Sequence, residues 1–594
     1  MQLLVISALL ASLNLEFSLL KKGEIFPWLF GWISRIVAGV VFGIVVWFLF
    51  MPAIVGPLGG AFPVIGWFLV INVLFTAKNT LVAMFTTWKI PAKDVLLGFG
   101  LISLFVIVNI YFQTLHPVIN NQRLRGMLGE VTTKQEYPPE ADKDNILIVP
   151  EEAARFDADK MMGNPIQELN LNTAGSLFSV GELFLQKIKT ESGTKLVWVG
   201  PLEYRDLIKS ITTPYSPGYI LINAEDASEN PRLVTNHKIN YLSSGFFLKN
   251  IDRHIYLHGY ATYTIDDIVF SIDDEMNPHF VASLSRPSIG YTADKIEKIL
   301  IINPDTGEIT DYNFGDTTLP TWVDRVVPEN LVENRLAWWG EYILGFWNTV
   351  ITQRDIIMPV GIRGNVADVY FASLNGDLSW VIGFTSKGTV DTALAGLMYV
   401  STTTGKATYY TWVPKDQTPP NLSNEEDAYD AVEKALSINS GAYTPGQPVM
   451  YRINARQVYI VPILARDSNR QEGIALYDAQ EQKTFLGDDF KGTTRAIAFA
   501  KHLTWLKSKG SFTNTSSTTK IEGNVTAFMP IVSEGKTVFR LQIDAKPDMV
   551  FEGADNLSPR LWATKVGDTV NVDYIAIVEE KGSGIIQLVG FEKK

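Results

Sequence analysis

The chain contains no cysteine. That excludes disulfides, thiolate metal sites, iron–sulfur clusters and a cysteine nucleophile. Charge is missing from a long early stretch, Ile36 to Ala77, which has no Lys, Arg, Asp or Glu. No P-loop, G-x-S-x-G elbow or dinucleotide fingerprint stands in a strand–turn–helix context. No catalytic residues, cofactor or metal are therefore expected, and the protein reads as a non-enzyme. The formal charge of −12 argues against a phosphate-binding surface.

What charge there is divides unevenly. Residues 1–120 carry six Lys/Arg and three Asp/Glu, and the remainder carries 45 and 60, so a net +3 precedes a net −15. At roughly 150 residues per domain the length suits about three or four domains.

The apolar beginning predicts an α-helical transmembrane anchor in residues 1–116. One span needs about 20 apolar residues. Met51-Pro52 and Val55-Gly56-Pro57-Leu58-Gly59-Gly60 interrupt the uncharged run, which gives spans near 32–53 and 62–82. Val95 to Leu115 gives another. Residues 1–20 fit either a span or an interfacial helix, so three or four spans are expected. Arg35 is read as lying at a span end, and Gly39-x-x-x-Gly43 would allow close helix packing. Lys21 and Lys22 flank one loop, and Lys78, Lys89 and Lys93 another. By the positive-inside rule these face the cytoplasm. Residues from about 117 onward are then extracytoplasmic, anchored in the plasma (inner) membrane.

Residues 117–145 read as a polar stalk. Beyond it, aromatic strands are followed by second strands that end in turns: 196–199 with 218–223, 278–283 with 299–302, 378–382 with 396–401, and 458–462 with 473–478. The residues are β-branched and aromatic, as in antiparallel hairpins. Helices are expected at 149–163, at 425–438 behind the capping sequence Ser423-Asn424-Glu425-Glu426, and at 493–507. The fold class is thus a multidomain membrane protein with tandem α+β antiparallel-sheet modules at 146–260, 261–355 and 356–507. A Ser/Thr-rich linker spans 508–520, and a small β-barrel fills 521–594.

A helix followed by an antiparallel sheet, strongest at 425–438 with Gln457 to Pro462 and Gly473 to Asp478, resembles PepSY-like domains. The resemblance implies a cell-envelope protein that modulates proteases or binds partners, and brings no catalytic residues. The Lys565-Val566-Gly567-Asp568-Thr569-Val570 turn within an all-β unit looks like an OB-type barrel. Such barrels bind oligonucleotides or oligosaccharides. From Lys520 onward there are nine basic and eleven acidic residues, so nucleic acid is not an expected partner.

Between the modules lies a tryptophan-rich segment, 318–355, with Trp322, Trp338, Trp339 and Trp347. Two readings stand side by side. The aromatics form a core plug, or, with Asp324 and Arg325, they form a partner-binding groove, since aromatics and arginine dominate interface hot spots. His254-x-x-x-His258 has metal-pair spacing, but Arg253 to His258 alternates like a strand. Ser271 to Asn277 reads as a solvated acidic turn. The expected partners are the lipid bilayer, other envelope proteins and further copies of the chain. The expected function is a membrane-anchored scaffold, with an envelope-protease regulator, an oligosaccharide- or nucleic-acid-binding module and a viral structural protein as alternatives.

Overall fold

A computed structural model describes residues 25–49, most of 116–486 and most of 518–594. Residues 1–22, 54–99 and 108–115 lie outside the described residues, as do the loops 142–145, 166–171, 363–368, 413–420, 437–440, 487–497 and 576–584. The expected spans at 62–82 and 95–115 and the helix at 493–507 fall there, apart from scattered positions.

Four stretches of chain fold alike. Each starts with an extended strap, passes through a helix and ends in a four-stranded antiparallel meander. The helices are Glu151–Met161, Ile251–Ile255, Glu329–Glu341 and Glu425–Ala435. The first meander runs Phe184–Thr190, Gly193–Tyr204, Tyr219–Asn223, Arg232–Val234. The second runs Thr264–Ile272, Pro278–Ile289, Ala293–Ile302, Ile309–Asn313. The third runs Tyr370–Leu374, Asp377–Ser386, Gly396–Ser401, Ala407–Tyr410. The fourth runs Val449–Ile453, Arg456–Ala465, Gln471–Asp478, Lys483–Phe485. In every case the second strand is long. In the first, third and fourth units a short extra strand shares one of its edges with the first strand. In the second unit one strand covers the whole edge, broken by a bulge between Ile265 and Asp267.

The straps repeat as well. Ile148 and Val149 both donate their N–H to the Ala224 carbonyl, Asn240 and Tyr241 to that of Pro304, Val326 and Val327 to that of Thr402, and Ser423 to that of Ala479. Each acceptor follows the third strand of its meander. Backbone polar groups taken out of water need partners, and this arrangement supplies them at four equivalent points. Trp198, Phe280, Trp380 and Tyr459 stand opposite Ile222, Ile302, Val400 and Tyr477 in the respective sheets. These are the aromatics that mark the strand pairs in the sequence.

The units are fused. Side chains alternate across a strand, so Trp380, Ile382 and Phe384 enter a core shared with the first two units, while Val381 enters a core shared with the fourth. The segment expected as a free stalk is also docked. It forms the helix His116–Arg125 and the strand Val131–Lys134, which lies parallel to Ala407–Tyr410. Ala141 N–H bonds the Arg452 carbonyl of the fourth unit at 2.8 Å.

The C-terminal strands Thr518–Ser533, Lys536–Ile543, Lys546–Ala554, Thr569–Ile575 and Ile585–Lys593 close a barrel. Its core is its own, built on residues such as Leu541, Phe551 and Val572. The 16-residue first strand pairs with two neighbours and is bent by a bulge between Val525 and Ala527.

The expected fold class needs correction. Strand makes up 41% of the chain and helix 26%, so the molecule is mostly β. An anchor of three or four spans is not supported: among the described residues one helix, Ile25–Leu49, is long and apolar enough to cross a membrane. By length and composition it fits a membrane anchor or a signal sequence. An uncharged run gives the composition of a span, whereas a span also needs about 20 residues in one continuous helix. The helix sits earlier than the expected 32–53. It ends before Met51, which has φ 43° and precedes Pro52, a position that disfavours helix. Arg35 therefore lies well inside the helix, not at its end, and is only 2% exposed.

The burial of this helix is inverted relative to a soluble one. Arg35, Gly39 and Gly43 form a buried row at i, i+4 and i+8, while Ile33, Val37, Val41 and Ile44 are exposed. Soluble helices bury the apolar face; helices in lipid turn polar and small residues toward protein.

Candidate functional site

The tryptophan-rich segment is distributed over three places. Trp322, Asp324 and Arg325 lie on the third strap, where three units meet. The Trp322 ring stacks on His279, with centroids 4.9 Å apart, and its carbonyl accepts from Gln186 Nε2. Asp324 Oδ2 accepts from the Lys187 N–H at 2.7 Å, and the Asp324 carbonyl accepts from the Thr402 hydroxyl. Arg325 is buried and donates to Asp267 Oδ2 at 2.9 Å. Its guanidinium lies over Phe184, Phe371 and Trp380, 5.0–5.6 Å from their centroids. A planar, weakly hydrated cation suits such a site.

Trp338 and Trp339 sit on the helix Glu329–Glu341. Trp338 packs on a small core of Leu124, Ile289, Ala293 and Tyr342. Trp339 packs edge-on against Phe384 and Tyr409, and Arg125 lies 5.8 Å from its ring centre. Trp347 is 66% exposed, caps the wide helical turn Asn348–Thr352 that carries exposed Val350 and Ile351, and follows exposed Leu344.

Below Arg325 is a cavity of about 360 Å³. Glu182 and Trp198 come to it from the first unit, Tyr370 and Trp380 from the third, Val449 and Ile460 from the fourth, and Glu151 from the helix behind the first strap. Partial burial, with Asp267 nearby, raises the Glu182 pKa above its ordinary value, against the pull of Arg325. Glu151 is also raised, chiefly by burial and also by Glu152 and Glu182, against the pull of Arg155. The carboxylates of Glu151, Glu152, Glu182 and Glu329 line this cavity together with Arg325.

A neighbouring cavity of about 330 Å³ shares Tyr370 and Gln447 and is lined by Glu425. Glu425 is 4% exposed. One of its oxygens accepts from the Gly383 N–H at 2.8 Å and faces the Tyr370 hydroxyl at 3.4 Å. The other has no hydrogen-bond partner among the described residues. Burial pushes its pKa up to about 7, although these donors oppose the shift. Perturbed groups in cavities are where chemistry or recognition concentrates. Sequence reasoning places Glu425 in the capping sequence and charged first turn that open this helix. Its real signal is register: Glu425, Ala428 and Val432 share the buried face at i, i+3 and i+7. The helix cap is Asn424, whose Oδ1 accepts from Asp427 N–H; the Ser423 hydroxyl accepts from Tyr477.

The other motifs resolve into structure. Neither His254 nor His258 is in a strand: His254 lies on the helix Ile251–Ile255, and His258 lies at a kink in the wider turn Tyr256–Tyr260 that follows. Their rings are 4.0 Å apart, but His254 Nε2 is 2.7 Å from the Gly307 carbonyl and His258 Nδ1 is 2.7 Å from the His254 carbonyl. In the acidic turn, Asp273 is occupied with the N–H groups of Glu275 and Asn277 and with His279.

No family model and no curated protein matches the chain. Among solved structures, a mutant of Synechocystis apocarotenoid oxygenase is similar at 11% identity, over 51% of this chain and 60% of that one, with a TM-score of 0.14. A mutant of B. megaterium levansucrase is similar at 8% identity, over 76% and 100%, with a TM-score of 0.18. The chain spans 60% of the first of these structures. At such TM-scores the likeness defines neither fold nor function.

Proposed function

We infer that the protein is a membrane-anchored, extracytoplasmic scaffold that holds a protein partner, and that it works without catalysis. One observation carries this reading. Trp347, exposed together with Leu344, Val350 and Ile351, forms an apolar patch of the kind that marks protein interaction sites. The inverted helix Ile25–Leu49 supports the membrane part. The fused units support a rigid platform, and Arg325 is held in it as a clamp. The experiment is a crosslinked pulldown from membranes with the full chain and with Trp347→Ala/Ile351→Ser. Recovery of a partner by the native chain and its loss with the double variant supports the reading. Equal recovery by both moves the partner site elsewhere. A lone monomer by native mass measurement, with nothing crosslinked, overturns it.

The repeated helix-then-antiparallel-sheet order favours a second reading, a regulator of envelope proteases of the PepSY-like kind. Unchanged protease activity in the presence of residues 121–594 would sink that alternative. The third, oligosaccharide or nucleic-acid binding through the barrel, falls if residues 520–594 bind neither at any salt concentration.

A further inference from the structure

We propose that two surface loops of the first and second units, one coiled into the short helix Leu207–Thr212 and the other, 246–248, entering the 3-10 turn Phe247–Lys249, dip into the interfacial layer of the phospholipid bilayer beside the end of the helix Ile25–Leu49. The proposal rests on the membrane-anchored reading and adds a second, peripheral contact to it.

The observations begin with exposure. Leu207, Ile208 and Ile211 are 47%, 67% and 60% exposed, and Leu248 is 72% exposed. These residues belong to one built surface. The Phe246 N–H donates to Ser210 Oγ at 2.9 Å, and Lys249 Nζ reaches across to the carbonyls of Ser210 and Thr213 at 3.0 and 2.7 Å. The lysine staples the loops from behind and leaves their apolar side chains facing out. Contiguous apolar exposure of this kind on a folded surface marks an interaction site.

Continuity with the apolar helix identifies the occupant. Phe48, at the C-terminal end of that helix, has its ring centroid 5.8 Å from that of Phe247. The Arg253 guanidinium lies 4.4 Å from the Phe48 ring centre. The loops thus adjoin the point where the exposed apolar face of the helix ends. A helix that leaves lipid at Leu49 places its immediate neighbours at headgroup depth. There, aromatic and aliphatic side chains partition favourably while a basic side chain meets phosphate. Lys209, on the first of these segments, and Arg253, on the neighbouring helix Ile251–Ile255, supply basic groups there.

Because the chain has no cysteine, Leu248→Cys and Ile208→Cys can each carry a single environment-sensitive fluorophore. The full chain is reconstituted into phosphatidylcholine/phosphatidylglycerol liposomes. Quenching is measured with brominated lipid and with aqueous iodide. The expected result is strong quenching by brominated lipid and shielding from iodide at both sites. Iodide access without lipid quenching, in chains that float with the liposomes, overturns the proposal and leaves the anchor standing. Shielding from iodide without lipid quenching, together with a dimeric mass, assigns the patch to a second copy and also overturns it. Failure of the chain to float overturns the membrane reading and this proposal with it.

Discussion

Trp198 and Trp380 hold the same place in two copies of one structural unit. Each indole Nε1 donates at 2.9 Å to a strap carbonyl, Trp198 to Val149 and Trp380 to Val327. Tyr459 does the equivalent in the fourth unit, its hydroxyl donating to the Ser423 carbonyl at 3.1 Å. The donors differ chemically, but each ties a strap to the long strand of its own sheet. In the second unit Phe280 has no donor to offer, and the strap there is held by backbone bonds to Pro304. Replacing Trp380 by Phe keeps most of the packing and strands the Val327 carbonyl. The loss should be about 1–3 kcal/mol, the cost of an unsatisfied buried acceptor. Denaturant unfolding of the full chain in detergent measures it. A Phe substitution with no change in midpoint would mean the bond contributes nothing.

Arg325 gives the next prediction. Its side chain is 10% exposed and that of its partner Asp267 is 21% exposed, so a single neutralisation leaves a largely buried charge unpaired. Arg325→Met should destabilise by about 3–5 kcal/mol. Replacing both members, Arg325→Met with Asp267→Leu, should recover part of that. Arg325→Lys should not rescue, since an ammonium cannot lie flat over three rings and still reach the carboxylate. Thermal melts of the three variants decide this. If Lys behaves as native, the planar stacking carries no weight.

These two cases show which parts of the molecule are legible in the sequence. Strand pairs are, because alternation with a large aromatic is a local pattern: Trp198, Phe280, Trp380 and Tyr459 each announce a strand that pairs with the one expected. The strap of each unit is hidden. Its signature is one or two backbone N–H groups on the carbonyl that follows the third strand, and backbone bonds leave no residue type behind. Arg325 is conspicuous as a charge among aromatics, but its ion-pair partner lies 58 residues earlier, in a different strand. Glu425 is missed because a carboxylate in a first helical turn ordinarily faces water. The histidine pair is misread because Ile255 and Leu257 between polar neighbours imitate a strand; the Asn250 cap, whose side chain accepts from Arg253 N–H, is the opposing signal.

Glu425 predicts a pH dependence. The group moves from an ordinary 4.5 to about 7 in the folded chain, so the folded state binds its proton more tightly than the unfolded state. Its contribution is complete below about pH 4.5 and is lost as pH rises through about 7. Asp324 and Asp266 are also pushed up to about 7, chiefly by burial, and tilt the curve in the same sense. Glu425→Gln should flatten part of the slope. Unfolding midpoints of the two proteins between pH 4.5 and 8 should agree at the acid end and stand apart above about pH 7, where the native carboxyl alone must ionise. Parallel curves would remove Glu425 from the account. Gly383→Ala tests the same spot sterically, because an added Cβ would lie 2.5 Å from both Glu425 oxygens and from Leu394 Cδ1. The variant should destabilise by about 1–3 kcal/mol, as overpacking does.

Asp478 predicts the opposite sign. It is fully buried and accepts from Arg456 through two bonds, Nε to Oδ2 at 3.0 Å and Nη2 to Oδ1 at 2.8 Å, and pairs with His502 Nε2 at 2.9 Å. The N–H groups of Gln480 and Glu481 also point at it. Burial alone would raise its pKa, but the bonds from His502, Arg456 and the Glu481 N–H outweigh burial and hold it below its ordinary 3.8. Its contribution is therefore complete above about pH 3.8 and disappears only as pH falls through the depressed folded value. Asp478→Asn should cost about 3–5 kcal/mol at neutral pH, since it removes the buried carboxylate that both Arg456 and the wholly buried His502 bond. It should also loosen the chain around His502 on the fourth sheet, because the Asp478–His502 bond joins the two beside the packing of Phe485 on His502 and Trp505. Hydrogen exchange at residues 498–506 should then speed up while exchange in the strand Arg456–Ala465 stays slow. Uniform loss of protection across the unit would mean that Asp478 holds the whole sheet rather than this one junction.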